Sequence, residues 1–399
     1  MALVSCNLFK SSVVQKISSL NCNACTVLAQ NFSSVKKGRN EPVTKDESEI
    51  KKSVFISQSN NIFTNLAIED WIYQNMDFNK HHILLIWRNA PCVVIGRHQN
   101  PWLEANMKYL GEKGIDIARR NSGGGTVYHD KGNLNLTFFT PRERYDRKKN
   151  LETITKALFR EFSLKIDISD REDLLYNNYY KISGTASKLG RPNAYHHCTL
   201  LVDADKTNVR SSLQKNNDEI ETNATRSVPS PTRNLREVNY RVKNDRLLSA
   251  LGWEYLRTTA ISNEDGGQEQ IAKQRGFQFI NPTDKWFPGL NEIREGFVSW
   301  DWRFGKTPKF EAGRNIPMYF DLSEKNNYAD MRLSVNVDQG KISDVALRLP
   351  PDGNNILSPN SDIISSVRGK KYSSETLDVL EKSLVFVEKK EDAKAALRA

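Results

Sequence analysis

Arg119-Arg120-Asn121-Ser122-Gly123-Gly124-Gly125-Thr126-Val127-Tyr128-His129-Asp130 is the stretch on which the reading of this chain turns. Consecutive glycines let backbone approach a ligand closely. The two arginines before them supply fixed positive charge. A second block follows further along: Lys181-Ile182-Ser183-Gly184-Thr185-Ala186-Ser187-Lys188, then Ala194-Tyr195-His196-His197-Cys198-Thr199-Leu200-Leu201. Together the blocks imply a pocket for an activated acyl group that carries a phosphate, and so a transferase.

The glycine run fits neither G-x-x-x-x-G-K-[ST] nor G-x-G-x-x-G, which sets aside P-loop and Rossmann chemistry. Glycines after a strand can instead turn amide N–H groups toward acyl and phosphate oxygens. Taken alone, the same run also reads as a flexible hairpin turn. Lys181 lies in or beside a strand. A cation held there can bind phosphate and a carbonyl oxygen together and stabilise the charge that develops on that oxygen. One such donor in a preorganised site is worth about 3 kcal/mol. By itself the residue also reads as a lysine on a strand edge.

The flanking sequence supplies a scaffold. With 399 residues, the chain is long enough for two domains and a leader. A hydrophobic content of 38% with 9% aromatics supports packed cores. No apolar run approaches the roughly 18 residues of a membrane helix. The net charge of +10 is unevenly placed: residues 1–45 hold six Lys/Arg against Glu41, leaving +5 for the rest. That body lacks the dense basic stripe of a nucleic-acid binder, but it suits an acidic protein partner.

Residues 1–40 contain no Asp or Glu and seven serines, the composition of a mitochondrial transit peptide. A leader is therefore expected over 1–50. Three of the five cysteines lie in it, which gives no disulfide framework. Cys22-Asn23-Ala24-Cys25 has the C-x-x-C spacing with no folded redox unit around it.

Periodicity predicts helices over Asn61–Tyr73, Leu103–Lys113 and Asn150–Phe162, the last from Leu151, Ile154, Leu158 and Phe162. His82–Trp87 and Cys92–Ile95, joined by Arg88-Asn89-Ala90-Pro91, read as a hairpin. Strands are predicted at Ile115–Arg119, Thr126–His129, Leu134–Phe139, Leu174–Ser183 and His196–Val202. Residues 205–239 are polar and turn-rich, in the manner of a binding loop or a solvated connection. Trp300–Lys309 reads as a connector or the edge of a second unit. Met331, Leu333, Val335 and Val337 alternate before Asp338-Gln339-Gly340, which predicts a hairpin, and Ser374–Phe386 a helix. The fold class is α/β (α+β), divided as 51–290 and a small α+β unit over 291–399.

Histidines 129, 196 and 197 lack zinc-site spacing, and no metal is expected. His196 and His197 would face opposite sides of a strand. Cys198 reads as a buried small residue more readily than as an acyl nucleophile.

These motifs in this order resemble the lipoate–protein ligase and lipoyltransferase family. The shared residues run from Val93-Val94-Ile95-Gly96-Arg97-His98-Gln99-Asn100-Pro101-Trp102 through the Arg119–Asp130 block. They continue over Gly132-Asn133, Asn135–Phe139, Lys181–Ala186 and His196–Leu201 to Asn281-Pro282-Thr283-Asp284 and Trp300–Lys309. The mitochondrial branch is the nearest in pattern.

The resemblance implies a biotin/lipoyl-ligase-type catalytic domain, with a mixed sheet flanked by helices, and a small C-terminal domain. It implies lipoyl-AMP as substrate and no tightly bound cofactor, with lipoate and Mg-ATP needed only by a complete ligase. Lys181 would contact the acyl carbonyl and phosphate oxygens. Ser122, Gly123, Gly124, Gly125, Thr126, Val127 and Tyr128 would border the lipoyl chain and acyl-phosphate. Arg97, Arg120, Gly184, Arg171, Thr199, Thr225 and Ser227 would complete the lipoyl-AMP site. An apolar slot burying about four methylenes would contribute on the order of 3 kcal/mol. The implied acceptors are lipoyl domains of 2-oxo acid dehydrogenase E2 subunits, with the glycine-cleavage H protein as acceptor or donor, and a monomer is expected. A complete ATP-dependent ligase and a silent lipoyl-domain-binding module stand as alternatives.

Overall fold

A computed structural model describes residues 50–214, 219–257, 276–319, 328–348 and 367–382. The leader therefore falls outside the described residues. In chain order the first elements are β1 (Lys51–Ser57), α1 (Ile62–Asn75), β2 (His81–Trp87), β3 (Cys92–Ile95), α2 (Pro101–Glu104), α3 (Met107–Lys113), β4 (Asp116–Arg119), β5 (Val127–His129), β6 (Asn133–Pro141) and α4 (Arg147–Phe162). There follow β7 (Asp167–Ile168), β8 (Leu174–Tyr176), β9 (Tyr180–Lys181), β10 (Thr185–Leu189), β11 (Asn193–Leu201), α5 (Lys206–Ser212), β12 (Glu219–Thr222), α6 (Leu235–Val238) and α7 (Asn244–Leu256). The last are β13 (Phe277–Ile280), α8 (Leu290–Val298), β14 (Phe310–Tyr319), β15 (Tyr328–Asp338) and β16 (Lys341–Arg348).

The central sheet has the order β10-β11-β6-β2-β1-β13. Its pairings are parallel for β13, β1 and β2 and antiparallel for β2, β6, β11 and β10. It is thus a mixed sheet with helices on both faces. The predicted amphipathic helix is α4: Asp146 caps its N-terminus by accepting from the Lys149 amide, and Leu151, Ile154, Leu158 and Phe162 are buried. They pack with Leu247 and Leu251 of α7 against Leu84, Leu136 and Phe138 of the sheet. The opposite face carries α1 and α8, where Leu66, Trp71 and Phe297 meet Phe55, Leu85 and Phe139.

The expected hairpin over 82–95 does not form. β2 is a central strand between β1 and β6, whereas β3 leaves for a three-stranded sheet of order β4-β3-β5. The connection is tied to α1 instead: Asn65 donates from its Nδ2 to the Arg88 carbonyl and to Asn89 Oδ1. The predicted helix over 103–113 is two short helices, because the chain turns at Ala105 and Asn106, and Asn106 caps α3. Its predicted end holds: Gly114 sits at φ +62°, where glycine bears no Cβ penalty.

The strand expected over 174–183 is a tight turn between β8 and β9. Asn177 and Asn178 both adopt φ of 53°, a left-handed region that asparagine tolerates. The polar stretch 205–239 is also more structured than expected, since it contains α5, β12 and α6.

A second sheet, β12-β14-β15-β16, contains the predicted hairpin of β15 and β16, turning at Gln339 and Gly340 with φ of 50° and 70°. Trp102 from α2 sits in this sheet's core, packed against Phe304, Phe310 and Tyr372. The predicted C-terminal helix is seen over 376–382, its remainder lying outside the described residues. No helix among the described residues is long and apolar enough to cross a membrane.

Leu158 is fully buried between α4 and the sheet. Leu158→Ala is expected to lower the free energy of unfolding by about 2–5 kcal/mol, measured by denaturant titration. Two interior histidines set an acid limit. Burial holds His129 and His196 at a pKa of about 3, against 6.5 for the free side chain, so both are neutral in the fold. The unfolded chain binds their protons below 6.5. Their contribution to stability is therefore full above 6.5 and declines as pH falls toward 3, by about 1 kcal/mol per pH unit per histidine. A His196→Gln variant should show a shallower loss between pH 6.5 and 4 in the same titration.

Candidate active site

β4 ends at Arg119 and β5 begins at Val127, so the glycine block connects two strands of the small sheet. Two buried arginines shape it. Arg119 is fully buried. Its guanidinium donates to the carbonyls of Gly96, Arg97 and Gln99 on one side, and of Trp302 and Arg303 and the Thr307 hydroxyl on the other. The Trp302 indole donates back to the Arg119 carbonyl at 2.7 Å. One side chain thus joins the 96–99 loop to a helical turn at Asp301–Gly305. This segment, expected as a connector or the edge of a second unit, closes over the buried Arg119 guanidinium.

Arg120 acts within the loop. It donates to the carbonyls of Gly123 at 2.6 Å, Gly125 at 2.7 Å and Val94 at 3.1 Å, and to Ser122 Oγ at 2.9 Å. Burial draws both guanidinium groups down to a pKa of about 10, which leaves them charged at neutral pH. Arg120 consumes carbonyls, while the amide N–H groups of Gly123, Gly124 and Gly125 donate to no partner among the described residues. The loop thus presents three uncommitted amide donors, as an anion site requires, with the Gly124 carbonyl turned against Gly96.

The glycines are needed sterically at two places. Gly124 has φ +84°, and a Cβ on Gly96 would stand 2.2 Å from the Gly124 carbonyl oxygen. The two backbones are in contact there.

Gln99 links this loop to the 225–227 segment. Its Oε1 accepts from the Gly96 amide and the Thr126 hydroxyl, and its Nε2 donates to Ser227 Oγ at 3.0 Å. Ser227 Oγ also accepts from the Thr126 amide at 2.8 Å. Thr225 donates its amide to the His98 carbonyl. On the far side, Gly184 lies against Val127 and Thr199: its amide donates to Thr199 Oγ1 at 2.9 Å, and a Cβ would stand 3.3 Å from Val127 Cγ1. Three residues before Gly184, Lys181 Nζ pairs with Asp173 Oδ1 at 2.8 Å. The backbone of Lys181 donates to the Pro231 carbonyl and accepts from the Arg233 amide.

Ser122, Thr126, Val127, Gly184, Thr199, Thr225 and Ser227 are therefore gathered around the glycine run, while Lys181 lies three residues before Gly184, on β9 of a separate three-stranded sheet. Tyr128 and Arg171 stand apart, and Arg97 meets the loop only through its backbone, its amide donating to the Ser122 carbonyl at 2.9 Å. Tyr128 is buried in the small sheet's core with Val93, Ile95 and Leu110, because alternation along β5 turns it away from Val127. Arg97 is exposed and stacks over Trp302 at 5.7 Å. Arg171 is exposed in the connection from β7 to β8.

Beneath the loop lies a polar chain that the motifs did not single out. Ser122 Oγ meets His197 Nε2 at 2.7 Å, His197 Nδ1 meets Glu69 Oε1 at 2.9 Å, and Thr137 donates to the same Glu69 oxygen at 2.7 Å. Burial raises the Glu69 carboxyl, but His197, Thr137 and Lys188 outweigh it and hold the group below its usual range. The signal was present in the sequence: Glu69-Asp70 interrupts the apolar run of α1, and both residues are buried. His196 faces the other side and stacks on Phe138, as alternation requires. Cys198 is buried in the main core, which pushes its thiol well up and removes it as a nucleophile at neutral pH. Among the described residues no three His, Cys, Asp or Glu side chains are grouped to hold a metal.

Known proteins resemble this chain in sequence and fold. The family profile described as "Lipoyl protein ligase A/B catalytic domain" matches residues 61–252. The mitochondrial lipoyl amidotransferase of Homo sapiens is 42% identical over 296 residues, covering 74% of this chain and 75% of that protein. Lipoate-protein ligase A of Bdellovibrio bacteriovorus is 32% identical over 332 residues, covering 82% and 90%. Among solved structures, P. falciparum LipL1 in complex with lipoate superposes with a TM-score of 0.53 at 26% identity, covering 82% of this chain and 93% of that one. This chain belongs to the lipoate–protein ligase and lipoyltransferase family.

Gly96→Ala would force the 96–99 and 122–126 loops apart. Denaturant titration should show the variant less stable by about 1–3 kcal/mol. The far-UV spectrum should remain that of the parent chain.

Proposed function

We propose that this chain is a lipoyltransferase acting in protein lipoylation. It passes a lipoyl group from an activated donor to the ε-amine of a lysine on an acceptor protein and forms an amide. The observation that carries this reading is the 122–126 loop, whose carbonyls are held by Arg120, beside a Gly184 that lies against Val127 three residues after Lys181. An acyl-phosphate donor presents oxygens that match the loop and Lys181. The glycine amides meet its anionic oxygens. Lys181 meets the acyl carbonyl, where charge grows as the amine attacks, and a preorganised donor there is worth about 3 kcal/mol.

Lipoyl-AMP is the donor proposed first, with AMP as leaving group. A lipoylated protein such as the H protein is the second donor, in which case the lysine of that protein leaves. The proposed acceptors are the lipoyl domains of 2-oxo acid dehydrogenase E2 subunits. The human relative's name supports a mitochondrial location, and we place the reaction in the matrix. Thr199, Thr225 and Ser227 are proposed to line the adenylate end and Ser122 to Val127 the acyl end. Tyr128 is proposed to support the loop from the core, and the exposed Arg97 and Arg171 are proposed to meet the donor from the surface.

The bacterial relative is named as a ligase, so activation of lipoate with ATP is the competing reading. Mass spectrometry of an apo lipoyl domain separates the two. A lipoyl mass gain with lipoyl-AMP alone, and none with lipoate plus Mg-ATP, is the expected result. A gain with both makes the chain a complete ligase. No gain with lipoyl-AMP or with lipoylated H protein contradicts transfer and leaves a silent binding module. Lys181→Ala should reduce transfer from lipoyl-AMP by about 10²-fold or more.

A further inference from the structure

Asp173 is the partner of Lys181, and its surroundings give it a further part. The transfer reading, on which this inference rests, leaves one requirement unmet. The acceptor lysine arrives as an ammonium ion and must lose a proton before it can attack. The other bases beside the loop are occupied, except His98, which is exposed in the 96–99 loop and makes no hydrogen bond to Lys181. His197 has Ser122 on one ring nitrogen and Glu69 on the other. Glu69 is buried beneath it. Glu104 is buried and accepts from the Ser227 amide. Glu172 is paired with Arg147.

Asp173 differs from all of these. Its side chain keeps about a quarter of its surface open, at 23%, as does that of Lys181 at 24%. One carboxylate oxygen meets Lys181 Nζ at 2.8 Å. The other accepts no hydrogen bond among the described residues. Its backbone is fixed independently, since its amide donates to Ser169 Oγ and its carbonyl accepts from the Ser169 amide. Lys181 is likewise held through its backbone by Pro231 and Arg233. The ion pair is therefore not required to join the strands. It sets a carboxylate within one hydrogen bond of the cation that meets the acyl carbonyl.

We propose that Asp173 is the proton acceptor for the incoming lysine. The ammonium gives one proton to the open carboxylate oxygen. The neutral amine then attacks the acyl carbon, so a C–N bond forms. The acyl C–O bond breaks, and its electron pair leaves on the AMP phosphate. The second N–H proton passes to that phosphate or to water. Lys181 holds the Asp173 carboxylate aimed until the amine arrives.

The test compares wild type with Asp173→Asn in single-turnover transfer from lipoyl-AMP, with two acceptors, an apo lipoyl domain and hydroxylamine. Hydroxylamine is already neutral at the pH of the assay and needs no base to become a nucleophile. Calorimetric binding of lipoyl-AMP to Asp173→Asn should stay within about threefold of wild type, which also establishes that the variant is folded. Transfer to the lipoyl domain should fall about 10²-fold near neutral pH. It should recover with rising pH as the acceptor amine deprotonates unaided, while transfer to hydroxylamine stays close to wild type. Asp173→Glu, which retains a carboxylate, should recover part of the rate.

Equal loss on both acceptors at every pH would reduce Asp173 to a positioning residue and overturn the proposal. So would an unchanged rate on the lipoyl domain. If wild type itself transfers to neither acceptor, the transferase reading fails, and this proposal with it.

Discussion

Two adjacent guanidinium groups, held dry inside the protein, are the constraint on which the site depends. A buried charge without partners is very costly, so Arg119 and Arg120 must be surrounded by acceptors. Backbone carbonyls supply them. Arg119 draws together the 96–99 loop and the helical turn at 301–305. Arg120 draws the carbonyls of Gly123 and Gly125 inward. The same pull leaves the glycine amides uncommitted. An anion-receptive loop thus follows from satisfying two buried cations.

The second sheet shares in this arrangement. Trp102 follows the 96–101 loop directly and is packed into that sheet's core. β12 precedes Thr225 and Ser227 by only a few residues and is paired with β14. Both segments that border the glycine run are therefore anchored in the second sheet. Any movement of that sheet would be felt at Gln99 and Ser227, which hydrogen-bond to each other across the site.

Local patterns were legible in the sequence and long-range pairings were not. The face of α4 could be read because Leu151, Ile154, Leu158 and Phe162 recur at a helical period, and the β15–β16 turn because Gly340 marks it. The departure of β3 into another sheet could not, since the apolar residues Cys92–Ile95 suit either partner. Nor could the turn at Asn177 and Asn178, whose left-handed backbone lies inside a run of tyrosine and leucine. The site followed the same division. The glycine block, Lys181 and Gly184 were recognisable by type and order. Arg120 looked like a ligand-facing cation, but residue type alone does not separate a charge that binds substrate from one that binds the protein's own carbonyls. Asp173 carried no signal, because its meaning depends on a strand turn that brings it to Lys181.

The central claim is that the glycine amides and Lys181 meet the same acyl-phosphate. A crystal structure of the chain with a non-hydrolysable lipoyl-AMP analogue tests it most directly. The account predicts the phosphate oxygens against the amides of Gly123 to Gly125 and Lys181 Nζ within hydrogen-bond reach of the acyl carbonyl. An analogue bound elsewhere, or a Lys181 that stays with Asp173 alone and leaves the donor untouched, would contradict it.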